Sequence, residues 1–164
     1  MGKILNYIAF FAAAAILIVV VQACNTGDCL DNKSSVPLAG FYSSSAKSSQ
    51  SLDSLTVFGI GAPGDSLILD NESSVSKVYL PLRSSATTSK FVLQYNKSSF
   101  NGVNDTLTVN YTPYPYFVSA ECGAMYNFDL KDFSCTTHRV DSVVFTATKF
   151  TNVDVESIKI FMKK

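Results

Sequence analysis

Along most of the chain apolar and polar residues alternate with a period of two, the spacing of a strand with one buried face. Leu107, Val109 and Tyr111 are separated by Thr106, Thr108, Asn110 and Thr112. Val78, Leu80 and Leu82 alternate with Lys77, Tyr79 and Pro81, and Phe91, Leu93 and Tyr95 with Lys90, Val92 and Gln94. Near the end Ile158, Ile160 and Met162 alternate with Lys159, Phe161 and Lys163. Shorter candidates lie at 38–42, 55–60, 66–69, 116–119, 125–130 and 141–147. Turn formers separate them: Gly59 to Gly64, Asn71-Glu72, Asn96 to Asn104, and the pair Pro113 and Pro115. The stretch 43–54 reads as one long exposed loop, and nothing after residue 24 sustains a helical period. The pattern predicts an all-β domain over residues 37–164. Its expected form is an antiparallel β-sandwich of Ig-like or Greek-key type, with about nine or ten strands.

The first residues follow another rule. Lys3 precedes an almost wholly apolar run from Tyr7 to Val21, which ends in Val21-Gln22-Ala23-Cys24. A signal peptidase needs a small side chain before its cut. A lipoprotein signal peptidase also needs a cysteine just after it, because that thiol carries the diacylglycerol. Residues 1–23 are therefore expected to be a cleaved lipoprotein signal peptide, Cys24 the lipidation site and 24–36 a tether. The competing reading is an uncleaved spanning anchor, for which Ile4–Ala23 is long enough. Against it, the apolar run stops at the cysteine and Asn25-Thr26-Gly27-Asp28 follow at once. Either way the domain lies outside the cytoplasm. Several acyl chains, at about 0.8 kcal/mol per buried methylene, would make the attachment permanent.

Composition narrows the field. Hydrophobic residues make up 47% and charged residues 16%, too apolar for a disordered chain. Thirteen Lys and Arg balance thirteen Asp and Glu, so no basic stripe argues for nucleic acid. With Cys24 set aside, Cys29, Cys122 and Cys135 are left, which in an oxidising compartment implies one bridge and one spare thiol. Spacing alone does not choose the pair; Cys29–Cys122 is favoured, with Cys122–Cys135 as runner-up. Zinc is a poor reading, because the cysteines lack paired short spacing and His138 is the only histidine.

Other constellations are weaker than they look. Gly59-Ile60-Gly61-Ala62-Pro63-Gly64 spells a dinucleotide fingerprint, yet Pro63 and a further strand stand where a helix must open. Cys122, His138 and Asp141 could be drawn as nucleophile, base and orienter, but His138 at a strand entrance reads better as solvated. Asp65, Asp70, Asn71 and Glu72, or Asp129 and Asp132, lack the spacing of a calcium loop and read as turn carboxylates. Tyr111, Tyr114, Tyr116 and Phe117 form a candidate aromatic platform for a sugar or peptide, although alternating aromatics more often fill a core. Finally, an Asp followed by a hydroxyl and an apolar residue recurs at Ser54, Ser66, Thr106 and Ser142. These are candidate O-glycosylation acceptors, or simply turns that end where strands begin.

The C-terminal half carries a likeness. Val118-Ser119-Ala120-Glu121-Cys122-Gly123, Thr137-His138-Arg139-Val140-Asp141-Ser142-Val143 and Ser157-Ile158-Lys159-Ile160-Phe161 resemble a family of uncharacterised Bacteroidetes lipoproteins. The resemblance implies a β-sandwich lipoprotein with a Cys29-to-Cys122 bridge and suggests a companion outer-membrane β-barrel. Cys135 is not part of that pattern, and no catalytic or binding residue transfers. The expectation is a membrane-anchored structural or protein-interaction module of the cell envelope, in the outer membrane facing the periplasm, with the cell surface as the alternative location. It is not expected to be an enzyme or to hold a cofactor or metal. A glycan- or peptide-binding module is the second reading.

Overall fold

The computed structural model describes residues 35–61, 64–100, 102–119 and 123–164. The expected signal peptide, Cys24 and most of the tether lie outside the described residues, as do Cys29 and Cys122. Ten strands follow in order: β1 Leu38–Ser43, β2 Leu55–Ile60, β3 Leu67–Glu72, β4 Lys77–Tyr79 and β5 Thr88–Tyr95, then β6 Asn104–Ser119, β7 Gly123–Cys135, β8 Val140–Phe145, β9 Lys149–Phe150 and β10 Glu156–Met162. They form a four-stranded sheet, β4-β1-β10-β8, and a six-stranded sheet, β3-β2-β5-β6-β7-β9. The arrangement is sandwich-like. The antiparallel expectation needs one correction: β1 pairs with β10 in parallel, whereas every other pairing of these strands is antiparallel.

Period-two residues build the core between the sheets. Leu107, Val109 and Tyr111 are each only 1% exposed, and Ile158, Ile160 and Met162 no more than 1%. Phe41 of the small sheet and Leu55, Val57 and Leu93 of the large one join the same cluster. Burying such a side chain contributes about 1.5–3 kcal/mol, so these alternations are what hold the two sheets together. Tyr111 is the largest of the fully buried residues. Its ring meets Phe128 edge-on at 5.2 Å, and its hydroxyl bonds to Ser89, to the Arg83 carbonyl and to the Arg83 N–H. A phenol can sit in this core only because its oxygen is satisfied.

The outer face of the small sheet is polar. The Tyr42 hydroxyl donates to Glu156 Oε1 at 2.5 Å, and Lys77 Nζ lies 3.4 Å from the other oxygen. Gly40 lies beneath them, and a Cβ there would run into the Glu156 carboxylate. The glycine serves close approach of the Glu156 side chain rather than backbone freedom.

Two features depart from the sequence pattern. Pro113 and Pro115, read as turn formers, lie inside β6, a strand of sixteen residues. Tyr111 donates its N–H to the Thr87 carbonyl on the β5 side. Residues 113 and 115 share that orientation, but β5 pairs no further than Asn110. Their missing N–H groups therefore face an edge that no described strand pairs with, the position where a strand tolerates proline. The 43–54 segment is not wholly open either: Ser49 bridges to Tyr42 and Leu52 to Val75.

Candidate functional site: the β6–β7 ribbon

β6 and β7 are much longer than the strands around them. β5 covers β6 only over Asn104–Asn110, and β9 covers β7 only at Phe128 and Asp129. Beyond those points, among the described residues, the two strands pair with each other alone, from Tyr114 opposite Asn127 to Ser119 opposite Gly123. The result is a two-stranded ribbon reaching about 17 Å past the last β9 pairing, at about 3.4 Å per residue. No charged residue occurs in 112–119 or in 123–128. Tyr116 is 47% exposed, Phe117 66% and Tyr126 44%. Cross-strand neighbours are Tyr116 with Met125, Phe117 with Ala124 and Pro115 with Tyr126. An isolated two-stranded ribbon is marginal in water, and this one displays aromatic rings on both faces.

The candidate aromatic platform is thereby divided. Tyr111 lies in the core, whereas Tyr114, Tyr116 and Phe117 stand on the ribbon. Tyr114 and Tyr116 share one face and Phe117 takes the other, as alternation requires. Sequence reasoning missed Tyr126 and Met125, which only the register of β7 brings alongside.

The chain enters the domain beside the ribbon. Ser35 Oγ donates to Asn127 Oδ1 at 2.7 Å, and both residues are buried. Val36 and Pro37 line a small cavity with Phe150, Val153 and Val155. Val153 and Val155 expose more than half of their surface.

A buried carboxylate fixes the other end of the hairpin. Asp105, at the start of β6, is 0% exposed. Its Oδ1 accepts from the His138 N–H at 2.7 Å and the Thr136 hydroxyl at 3.0 Å. Its Oδ2 accepts from the N–H groups of Arg139 and Val140 at 2.7 and 2.9 Å, and from the Tyr95 hydroxyl at 3.2 Å. Burial works against ionisation here, but the backbone donors of Val140, Arg139 and His138 and the Thr136 hydroxyl outweigh it and lower the pKa. The link from β7 to β8 is thus wrapped around one negative charge. The same site raises the pKa of Tyr95, first by burial and then through the Asp105 charge.

The remaining candidates do not converge. The His138 side chain is 63% exposed and its Nδ1 lies 2.8 Å from the Asn104 carbonyl, while Asp141 accepts from Ser44 at 2.5 Å. Cys122, the third member of that trio, is outside the described residues. All four Asp residues of the Asp-Ser/Thr repeats act as acceptors in turns or at strand starts: Asp53 for Ser74, Asp65 for Gly61, Asp105 as above and Asp141 for Ser44. Ser66 and Ser142 are exposed, and Ser54 and Thr106 half-buried. A cleft of about 250 Å³ at the end opposite the ribbon is lined by Lys97, Arg139, Lys163 and Lys164. Two of its cations are already committed, Arg139 to the Lys164 carbonyl and to the Phe100 ring, and Lys163 to the Thr137 carbonyl.

The expected disulfide is corrected. No bridge joins the described residues, and Cys135 is a free thiol. The Cys122–Cys135 alternative fails on geometry: Gly123 and Cys135 end the same continuous strand, about 40 Å apart at strand rise. A disulfide needs Cα atoms within about 7 Å. The favoured partners Cys29 and Cys122 lie outside the described residues. Burial first, and the Asp105 charge second, push the Cys135 thiol up to about 12, so it is no nucleophile at neutral pH.

No curated protein and no solved structure matches the chain. Residues 54–162, from the start of β2 to the end of β10, match a family described as a family of unknown function (DUF6452). The match takes in the six-stranded sheet with its ribbon and, of the small sheet, β4, β8 and β10 but not β1, and the chain belongs to this family.

Proposed function

We propose that the protein is a lipid-tethered module of the cell envelope that works by surface contact, with the β6–β7 ribbon as its contact element. The exposed aromatic ribbon carries this reading: Tyr116, Phe117 and Tyr126 stand on paired strands that carry no charge between Thr112 and Ser119 or between Gly123 and Phe128, on a hairpin pinned at its far end by Asp105. Evolution of a water-facing hairpin without such a role would favour charged side chains, which cost nothing there and guard the edges. The Val21-Gln22-Ala23-Cys24 sequence supports attachment through Cys24. An Ig-like, Greek-key sandwich in the outer membrane, facing the periplasm beside a β-barrel companion, is the fuller form of the proposal. The test combines two measurements in cells. Palmitate-analogue labelling should mark the wild type and not Cys24→Ala. A benzophenone side chain placed at position 117 should give crosslinks to envelope components, while one at position 99, at the other end, should not. Equal crosslinking from both positions would refute the ribbon as contact element.

Glycan or peptide binding is the second reading, favoured by Tyr114 and Tyr116 sharing one face of the ribbon. Tyr114→Ala with Tyr116→Ala would then abolish retention on a glycan array without unfolding the domain. Unchanged retention removes it.

A further inference from the structure

We infer that the ribbon end of the domain rests on the lipid surface to which the chain is tethered, with Tyr116, Phe117 and Tyr126 seated among the headgroups. The inference rests on the tether reading above and adds the partner of the ribbon. Three observations meet at this end of the fold. Ser35, where the described chain begins, is bonded to Asn127 on the ribbon itself. Cys24 precedes Ser35 by eleven positions, so a lipid on Cys24 holds this point within about 38 Å of the bilayer even with the tether fully extended. The ribbon extends from Asn127 toward Gly123, and the loop bearing Val153 and Val155 flanks the same entry point.

The chemistry suits lipid better than a charged partner. Tyrosine and phenylalanine settle at the boundary between headgroups and acyl chains, where one side is wet and the other apolar. The paired strands of the ribbon are uncharged and the link between them carries the carboxylate Glu121, so contact draws on no basic patch and gains nothing from anionic lipid. The end opposite the ribbon carries Lys97, Arg139, Lys163 and Lys164, and this orientation keeps those cations in water. The acyl chains on Cys24 supply the affinity; the ribbon sets which way the domain faces.

The chain contains no tryptophan, so one introduced indole reports alone. The full-length lipidated protein, as Phe117→Trp and separately as Tyr126→Trp, is reconstituted into phosphatidylcholine vesicles with and without dibrominated phosphatidylcholine. Ser99→Trp, at the opposite end, is the control. Emission from position 117 should shift to the blue and lose about half its intensity in brominated vesicles, while position 99 stays unchanged. Replacing a third of the lipid by phosphatidylglycerol should not alter this. Palmitate-analogue label on Cys24 is read on the same samples. Label present with positions 117 and 126 both unquenched overturns the ribbon contact and leaves the tether standing. Label absent from Cys24 overturns the tether and this orientation with it. Equal urea midpoints for the variants and the wild type show that the fold was intact in either case.

Discussion

Replacing Asp105 by Asn keeps the shape of the side chain and removes one acceptor. In the wild type five donors converge on two oxygens: three backbone N–H groups and the hydroxyls of Thr136 and Tyr95. The amide can keep its oxygen toward Arg139 and Val140, and its NH2 then faces the N–H of His138. One buried backbone donor is left unsatisfied, at about 1–3 kcal/mol, and the surviving bonds lose their charge assistance, at about 0.5–1 kcal/mol each. The opposite rotamer strands two N–H groups and is worse. The expected loss is about 3 kcal/mol, which equilibrium urea unfolding should read as a midpoint lowered by about 2 M at an m-value near 1.5 kcal/mol/M. The pH dependence gives a second handle. The folded-state pKa of Asp105 lies below the ordinary value of 3.8. Its contribution is therefore complete above that pH and fades as the pH falls through the folded pKa. The gap between wild type and Asp105→Asn should be constant from about pH 5 to 7 and shrink below about pH 4. A midpoint shift under about 0.5 M, or a gap that holds its size into strong acid, would refute the account of this corner.

Two further expectations are simpler. Cys135, with its pKa raised to about 12, should react with iodoacetamide at pH 8 about 100-fold or more slower in the native protein than in urea. Comparable rates would place the thiol in water, and any stability that its burial confers should fade as pH rises from 9 toward 12. Gly40→Ala should drive the Glu156 carboxylate from its place and, by loosening its bonds to Tyr42 and Lys77, cost about 1 kcal/mol in urea unfolding. Adding Glu156→Ala should recover part of that loss, and a neutral Gly40→Ala would show that the sheet yields at no expense.

The sequence made the core legible because a period of two states which face of a strand is apolar, and Leu107, Val109, Tyr111, Ile158 and Ile160 follow it closely. It cannot state how far the neighbouring strand extends. Tyr111 and Phe117 stand on the same face of β6, six residues apart, yet one is 1% exposed and the other 66%. What separates them is that β5 pairs only as far as Asn110, a fact about another part of the chain. The same ignorance made Pro113 and Pro115 look like a turn. The two-residue β9 and the parallel pairing of β1 with β10 left no local trace, since both are choices among distant partners. Asp105 was visible only as one of four similar repeats; its three backbone donors come from a link more than thirty residues away.

The two prolines make the ribbon one-sided. Along its β6 margin, residues 113 and 115 offer carbonyls but no donors, so an incoming strand finds a broken ladder there. Along the β7 margin the backbone is intact, and an added strand could pair with it in full. Two ribbons meeting through their β7 margins would leave a proline border on each outer side, where a further strand would lose two ladder hydrogen bonds. Growth of this element by stacking one chain on the next is therefore disfavoured beyond two, which guards a ring-rich hairpin against seeding a fibre.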